Sequence, residues 1–224
     1  MGRAGRNRIP RLPIWILLLR GGLVAEPVPA DVAPVAIRAG GRNRDARERL
    51  QEIIEAVEAK QGSAAAEIGT GYGYYAVRFW PVAGASGSVY AEAIDGALAR
   101  KLRWRVQAEK LQNIQPVLWK PYAPGLPGSV LDAALLADVY HEVDSAALLL
   151  RIKVSLKPGG RLMIIEYLRP ELRSESRDWQ RQEHNVAPEF VEQDLKEAGF
   201  EGVQRRDPPG PGYPARRLRR RSFA

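Results

Sequence analysis

Leu50, Ile53, Ile54 and Val57 recur at i, i+3, i+4 and i+7, which puts them on one face of a helix running from about Asn43 to Gly62. Past Gly62 the pattern changes to short apolar runs of four to seven residues separated by helical stretches. Strands are expected at 64–68, 88–91, 114–118, 131–137 and 162–165, with a sixth beginning at 200–203. Between them the spacing predicts helices from Gly73 to Trp80 (stopped by Pro81), from Asp95 to about Asn113, from Asp144 to just before Lys157, and from Glu189 to Ala198. The last has Pro188 near its first turn and Gly199 just past its end, the usual asymmetry of helix punctuation. Pro116 removes a ladder donor and sends its strand to a sheet edge. Alternation of this kind implies an α/β fold, Rossmann-like, with a mostly parallel sheet flanked by helices on both faces.

The ends of the chain read differently. Arginines at 3, 6, 8 and 11 precede the apolar run Leu12–Leu19, and a Pro/Ala-rich stretch follows to about Ala39. This is a signal-like or disordered leader over 1–42, placed outside the folded domain at 43–206; the run is too short for a membrane span, which needs roughly 20 apolar residues. Residues 207–224 form an Arg/Pro-rich tail with no strand alternation.

Charge follows the same division. Residues 1–20 carry five arginines and no acid, and residues 205–224 carry seven arginines against one aspartate, +11 between them; with a net charge of +8, the body between stands at −3. A mildly acidic body argues against nucleic acid as partner. No cysteine is present, which excludes disulfides, thiolate metal sites and cysteine nucleophiles, and two histidines make a histidine-rich metal centre an unexpected feature.

Candidate chemistry concentrates in Glu67-Ile68-Gly69-Thr70-Gly71-Tyr72-Gly73, where a strand runs into a glycine turn and a helix start. Such turns let backbone N–H groups approach a ligand, and the helix N-terminus adds partial positive charge. Two registers compete. Gly71-Tyr72-Gly73-Tyr74-Tyr75-Ala76 satisfies the dinucleotide fingerprint, with Glu92 where a ribose acid falls, and implies an NAD-type oxidoreductase.

The other register, Glu67-x-Gly69-x-Gly71-x-Gly73, resembles motif I of the class I S-adenosylmethionine-dependent methyltransferases. Val89-Tyr90-Ala91-Glu92-Ala93-Ile94-Asp95 is similar to that family's second-strand motif, and Leu131 to Glu142 to its fourth. Leu156-Lys157-Pro158-Gly159-Gly160-Arg161-Leu162 resembles the segment before its fifth strand and is the most specific of the set. The resemblance spans roughly Ala64 to Val203 and implies methyl transfer from S-adenosyl-L-methionine. It implies a cofactor site of Glu67, Gly69, Thr70, Gly71, Tyr72, Gly73, Glu92, Ile94, Asp95 and Asp138. Glu67 orders the turn and the cofactor's ammonium end, Ile94 packs on the adenine, and Asp138 lies near the methionine part.

Three departures stand against the pattern. The family's ribose carboxylate aligns with Ala93; Glu92 points to the opposite face of a strand, and Asp95 lies two residues on. After the third strand no acid follows, only Trp119 and Tyr122 as stacking candidates. The family's closing antiparallel strand beside strand five finds no match in 207–224, so the last strand is doubtful and a non-catalytic relative with weakened cofactor binding is a third reading. His141 follows the fourth strand and is the candidate general base, whereas His184 sits in a polar segment read as a solvated face. With no acceptor signature, a small molecule is the expected methyl acceptor. The cofactor points to a cytoplasmic protein; the leader allows weak membrane contact or, alternatively, export.

Overall fold

A computed structural model describes residues 14–19, 50–119, 125–143 and 145–206. The elements are β1 (Ile14–Leu19), α1 (Leu50–Val57), β2 (Ala64–Ile68), α2 (Ala76–Ala83), β3 (Ser88–Ala93), α3 (Gly96–Ala108), β4 (Ile114–Leu118), β5 (Leu131–Ala137), α4 (Ser145–Ser155), β6 (Leu156–Tyr167), α5 (Arg177–Gln182), α6 (Pro188–Glu197) and β7 (Val203–Arg206). They build one seven-stranded sheet in the order β4-β3-β2-β5-β6-β1-β7. Strands β4, β3, β2, β5 and β6 are mutually parallel. Strand β4, with Pro116, is the edge strand that its proline demands.

Each face of the sheet buries its own core. Leu148, Leu149 and Ile152 of α4 and Val191 and Leu195 of α6 pack with Ala66, Ile68, Leu136 and Ile164. On the other face Ile53 and Val57 of α1, Phe79 of α2 and Leu102 of α3 pack with Val89, Ala91, Leu135 and Met163. Strands buried on both sides explain their unbroken apolar runs.

The sequence-based expectation fails in two instructive places at this level. Pro81 does not stop α2; the helix continues to Ala83 and closes with Gly84 N–H donating to the Trp80 carbonyl at 3.0 Å. A proline in the last turn costs one intrahelical bond, and burial of Val82 and Ala83 offsets it. The Lys157–Gly160 segment, expected to precede a strand at 162–165, is instead a bulge early in β6: Leu156 pairs with Leu131 and Arg161 with Ala133, leaving four residues opposite one.

The largest correction concerns the leader. Ile14–Leu19 lies within the sheet, antiparallel to both β6 and β7. It occupies the place beside β6 where the closing antiparallel strand was sought in the opposite end of the chain. Both of its edges are paired, so a six-residue apolar run satisfies its backbone in the sheet. The rest of 1–42, the Asp144 cap, Tyr122 and the 207–224 tail lie outside the described residues. No helix among the described residues is long and apolar enough to cross a membrane.

Candidate active site

The strand order runs outward from β2 through β3 to β4 on one side and from β5 to β6 on the other. The reversal falls between β2 and β5, and a crevice at the carboxyl ends of such a pair is where open α/β sheets take their ligands. The glycine turn leaves β2 there and the Asp138–Glu142 turn leaves β5 there. The two turns abut: a Cβ added at Gly69 would stand 2.5 Å from Val139 Cγ2. Gly69 is also at φ +73°, so both sterics and backbone conformation exclude a side chain.

Glu67 organises the glycine turn. Its carboxylate accepts from Thr70 Oγ1 at 2.5 Å and from the backbone N–H groups of Ala76 at 2.7 Å and Tyr75 at 3.2 Å. The last two N–H groups stand at the start of α2, so Glu67 acts from a distance as that helix's N-terminal acceptor. Thr70 is buried, and the N–H groups of Gly69 and Thr70 are both spent on the Glu92 carbonyl. Beyond them the turn opens. Gly71, at φ +53°, has nothing within 4 Å of where a Cβ would lie, and Tyr72 is 60% exposed. The N–H groups of Gly71 and Tyr72 have no acceptor among the described residues. Gly73 allows close packing on Leu102 of α3, and Arg105 of the same helix donates to the Tyr72 carbonyl at 2.6 Å.

The β3 end supplies less than a ribose site needs. Ala93 is fully buried and carries no polar group. Glu92 is fully buried too, on the face toward α4, where it accepts from Arg151 Nη2 at 2.7 Å. Alternation along the strand turns it away from the rim, which corrects its assignment to the cofactor site. Burial raises its pKa, with the Arg151 charge and hydrogen bond opposing. Glu92 Oε2, Arg151 Nε and Nη1 and Trp119 Nε1 are buried without a partner among the described residues. Asp95 caps α3, its Oδ1 accepting from Ala97 and Leu98 N–H at 2.7 and 2.9 Å; these bonds lower its pKa. Ile94, between them, is 36% exposed on the rim.

The turn after β5 carries the titratable groups. Asp138 adopts φ +56°, exposed beside the crevice. Val139 and Tyr140 N–H donate to Glu166 Oε1 at 2.9 and 2.5 Å, and His141 Nδ1 lies 2.9 Å from Glu166 Oε2. Glu166, near the end of β6, is completely buried. His141 Nε2 lies 3.3 Å from Nδ1 of His184, whose ring stands edge-on to it and is 74% exposed. Glu142 Oε1 is 3.7 Å from His141 Nε2 and 3.9 Å from His184 Nδ1. Burial works against charging His141, but the hydrogen bond and charge of Glu166, with Asp138 and Glu142, outweigh it and raise its pKa. Burial raises the Glu166 pKa as well, opposed by His141.

The segment after β6, read as a solvated face, is tied to this turn. Arg181 of α5 donates to the carbonyls of His141 at 3.0 Å and Val143 at 2.8 Å. Gln180, fully buried, donates to Leu172 O and accepts from Ala187 N–H. Tyr140 OH donates to Asp194 Oδ2 of α6, which also pairs with Arg177. His184 follows α5 at φ +54°, its N–H on the Arg181 carbonyl, and this places its ring over His141. Sequence reading thus missed Glu166 and the partnership of His184. An acid at the carboxyl end of the otherwise apolar run Leu162–Ile165 is the signal that marks Glu166.

No protein-family model matches the chain, and no curated protein matches it by sequence. Solved structures do match. A SAM-dependent methyltransferase from Aquifex aeolicus superposes with TM-score 0.58 at 23% identity, over 66% of this chain and 78% of that one. Phosphoethanolamine N-methyltransferase 2 of Haemonchus contortus, in complex with S-adenosyl-L-methionine, gives 0.53 at 22% identity, over 72% of this chain and 37% of that one. An arsenic(III) S-adenosylmethionine methyltransferase from Chlamydomonas reinhardtii gives 0.51 at 18%, over 63% and 52%. Likenesses at these identities establish the fold, that of the class I methyltransferases, and the differing acceptors of the relatives leave the acceptor open.

Proposed function

We propose that this protein is an S-adenosylmethionine-dependent methyltransferase acting on a small-molecule acceptor. The observation that carries the reading is the contact between Gly69 and Val139, which brings the open glycine turn and the histidine-bearing turn together at one crevice. The residues fit the cofactor. Gly71 and Tyr72 offer N–H donors that have no acceptor among the described residues, beside open space, and Glu67 holds them in place through Thr70, Tyr75 and Ala76. We assign Gly69–Gly73 and Asp138 to the cofactor's aminoacyl side. Exposed Ile94 is assigned to the adenine, and Asp95, through the oxygen not spent on its cap, to the ribose. Bound there, the cofactor supplies an electrophilic methyl group on a sulfonium.

The chain's own task is to hold the acceptor in line and to take its proton, and orientation of this kind supplies much of the rate. The His141–His184 pair, with Glu166 behind it, is the proton-accepting unit. The dinucleotide reading needed Glu92 as ribose acid, and that carboxylate is buried against Arg151. A cofactor drawn from a cytosolic pool favours a cytoplasmic protein, and the mildly acidic body fits a small-molecule partner better than nucleic acid.

Calorimetry on the full chain tests this reading. S-adenosylmethionine is expected to bind at one site, NAD not at all, and Gly71→Val to weaken binding by at least about tenfold by filling the open side of the turn. The apolar Ala93 and the sequestered Glu92 favour one second reading, a relative that keeps the fold without useful cofactor affinity. Absence of S-adenosylmethionine binding would decide for it.

A further inference from the structure

We propose that the atom receiving the acceptor's proton is His184 Nε2, with His141 and Glu166 as positioning residues behind it. The inference rests on the methyltransferase reading for its chemistry and on the geometry of three side chains for its form. Both nitrogens of His141 are engaged: Nδ1 by Glu166 Oε2 at 2.9 Å and Nε2 by His184 Nδ1 at 3.3 Å. His141 is also buried, so the residue singled out by its place after β5 has no free atom to offer an acceptor. His184 has one.

The tautomers follow in sequence from the buried end. Glu166 already accepts two backbone N–H groups on Oε1, and its Oε2 faces His141. As a carboxylate it only accepts, so His141 Nδ1 carries the proton and Nε2 bears the lone pair. That lone pair then requires His184 to be protonated on Nδ1. The lone pair of His184 is left on Nε2, on a ring that is 74% exposed. When an acceptor O–H gives up its proton to this nitrogen, the oxygen bonds to the methyl carbon. The carbon–sulfur bond breaks with its electron pair going to sulfur, and the charge gained by His184 is stabilised through His141 and Glu166. Asp138 and Glu142 are the other acids facing the pair. The acceptor class this suits is one whose nucleophile carries a weakly acidic proton, a hydroxyl above all.

The chain has two histidines, so imidazole 15N spectra of the full-length protein resolve the relay directly. At a pH above that at which His141 surrenders its proton, both rings are expected in the Nδ1–H form. Glu166→Gln presents an amide N–H to His141 Nδ1, which turns His141 into the Nε2–H form and, through it, His184 as well. A tautomer change at His184, which does not touch Glu166, is the signature of the relay. A His184 in the Nε2–H form in the unsubstituted protein overturns the proposal, and this readout stands even where the Glu166 variant does not fold. His184 unmoved by a folded Glu166→Gln also overturns it. So does Zn2+ shifting both rings to saturation at one equivalent, since the pair is then a metal site with Glu142. None of these spectra needs the cofactor, so failure here is separate from a failure to bind S-adenosylmethionine.

Discussion

The two halves of the crevice are built on opposite plans. On the β2 side the parts that shape the turn lie within ten residues of sequence, namely Glu67, the glycines, Thr70 and the first N–H groups of α2, with the Glu92 carbonyl and Arg105 bracing it from outside. On the β5 side the parts come from three elements, with Glu166 and His184 lying 25 and 43 residues from His141. The first half holds a ligand by backbone and open space; the second holds a chain of titratable side chains whose inner end is buried. A local motif can be read from spacing, and a constellation of this second kind exists only once the chain is folded.

If that contrast is right, the costliest single change lies on the β5 side. Glu166→Ala removes an acceptor of two backbone N–H groups and the partner of a buried histidine, and is expected to cost about 3–5 kcal/mol in urea unfolding. A loss below about 1 kcal/mol would show that the turn does not depend on it. Gly69→Ala should come next, at about 2–3 kcal/mol, because it strains φ and drives a methyl group into Val139 where the two halves meet. It should also weaken S-adenosylmethionine binding, and wild-type stability in this variant would mean that the halves are not in contact.

The smallest effect is one of pH. Folding raises the His141 pKa above the ordinary value of 6.5, so its contribution to stability is complete below about pH 6.5 and fades as pH rises through the raised value. Glu166→Gln removes the largest of the effects that raise it and should bring the NMR midpoint of His141 down. A midpoint unmoved by that change would place the source of the shift with Asp138 and Glu142 instead.

Legibility followed the range of the interactions. The glycine turn, the five parallel strands and the α6 boundaries at Pro188 and Gly199 were readable because propensity and periodicity decide them locally. Glu92 could be doubted from alternation alone, and its pairing with Arg151 gives the reason. Glu166 was hidden in an apolar strand, and His184 among charged neighbours, because neither shows in sequence which distant side chain it will meet.

The amino-terminal run shows the division most clearly. Composition by itself determined that Ile14–Leu19 is apolar, short and flanked by arginines, and the same composition serves a signal, a leader or a strand. Only the tertiary structure shows it paired as a strand. Strands β6 and β7 each present an edge of unpaired N–H and C=O groups, and one extended segment from the far end of the chain satisfies both. Hydrogen-bond demand at a sheet edge is a property of the assembled fold, and no window of sequence contains it.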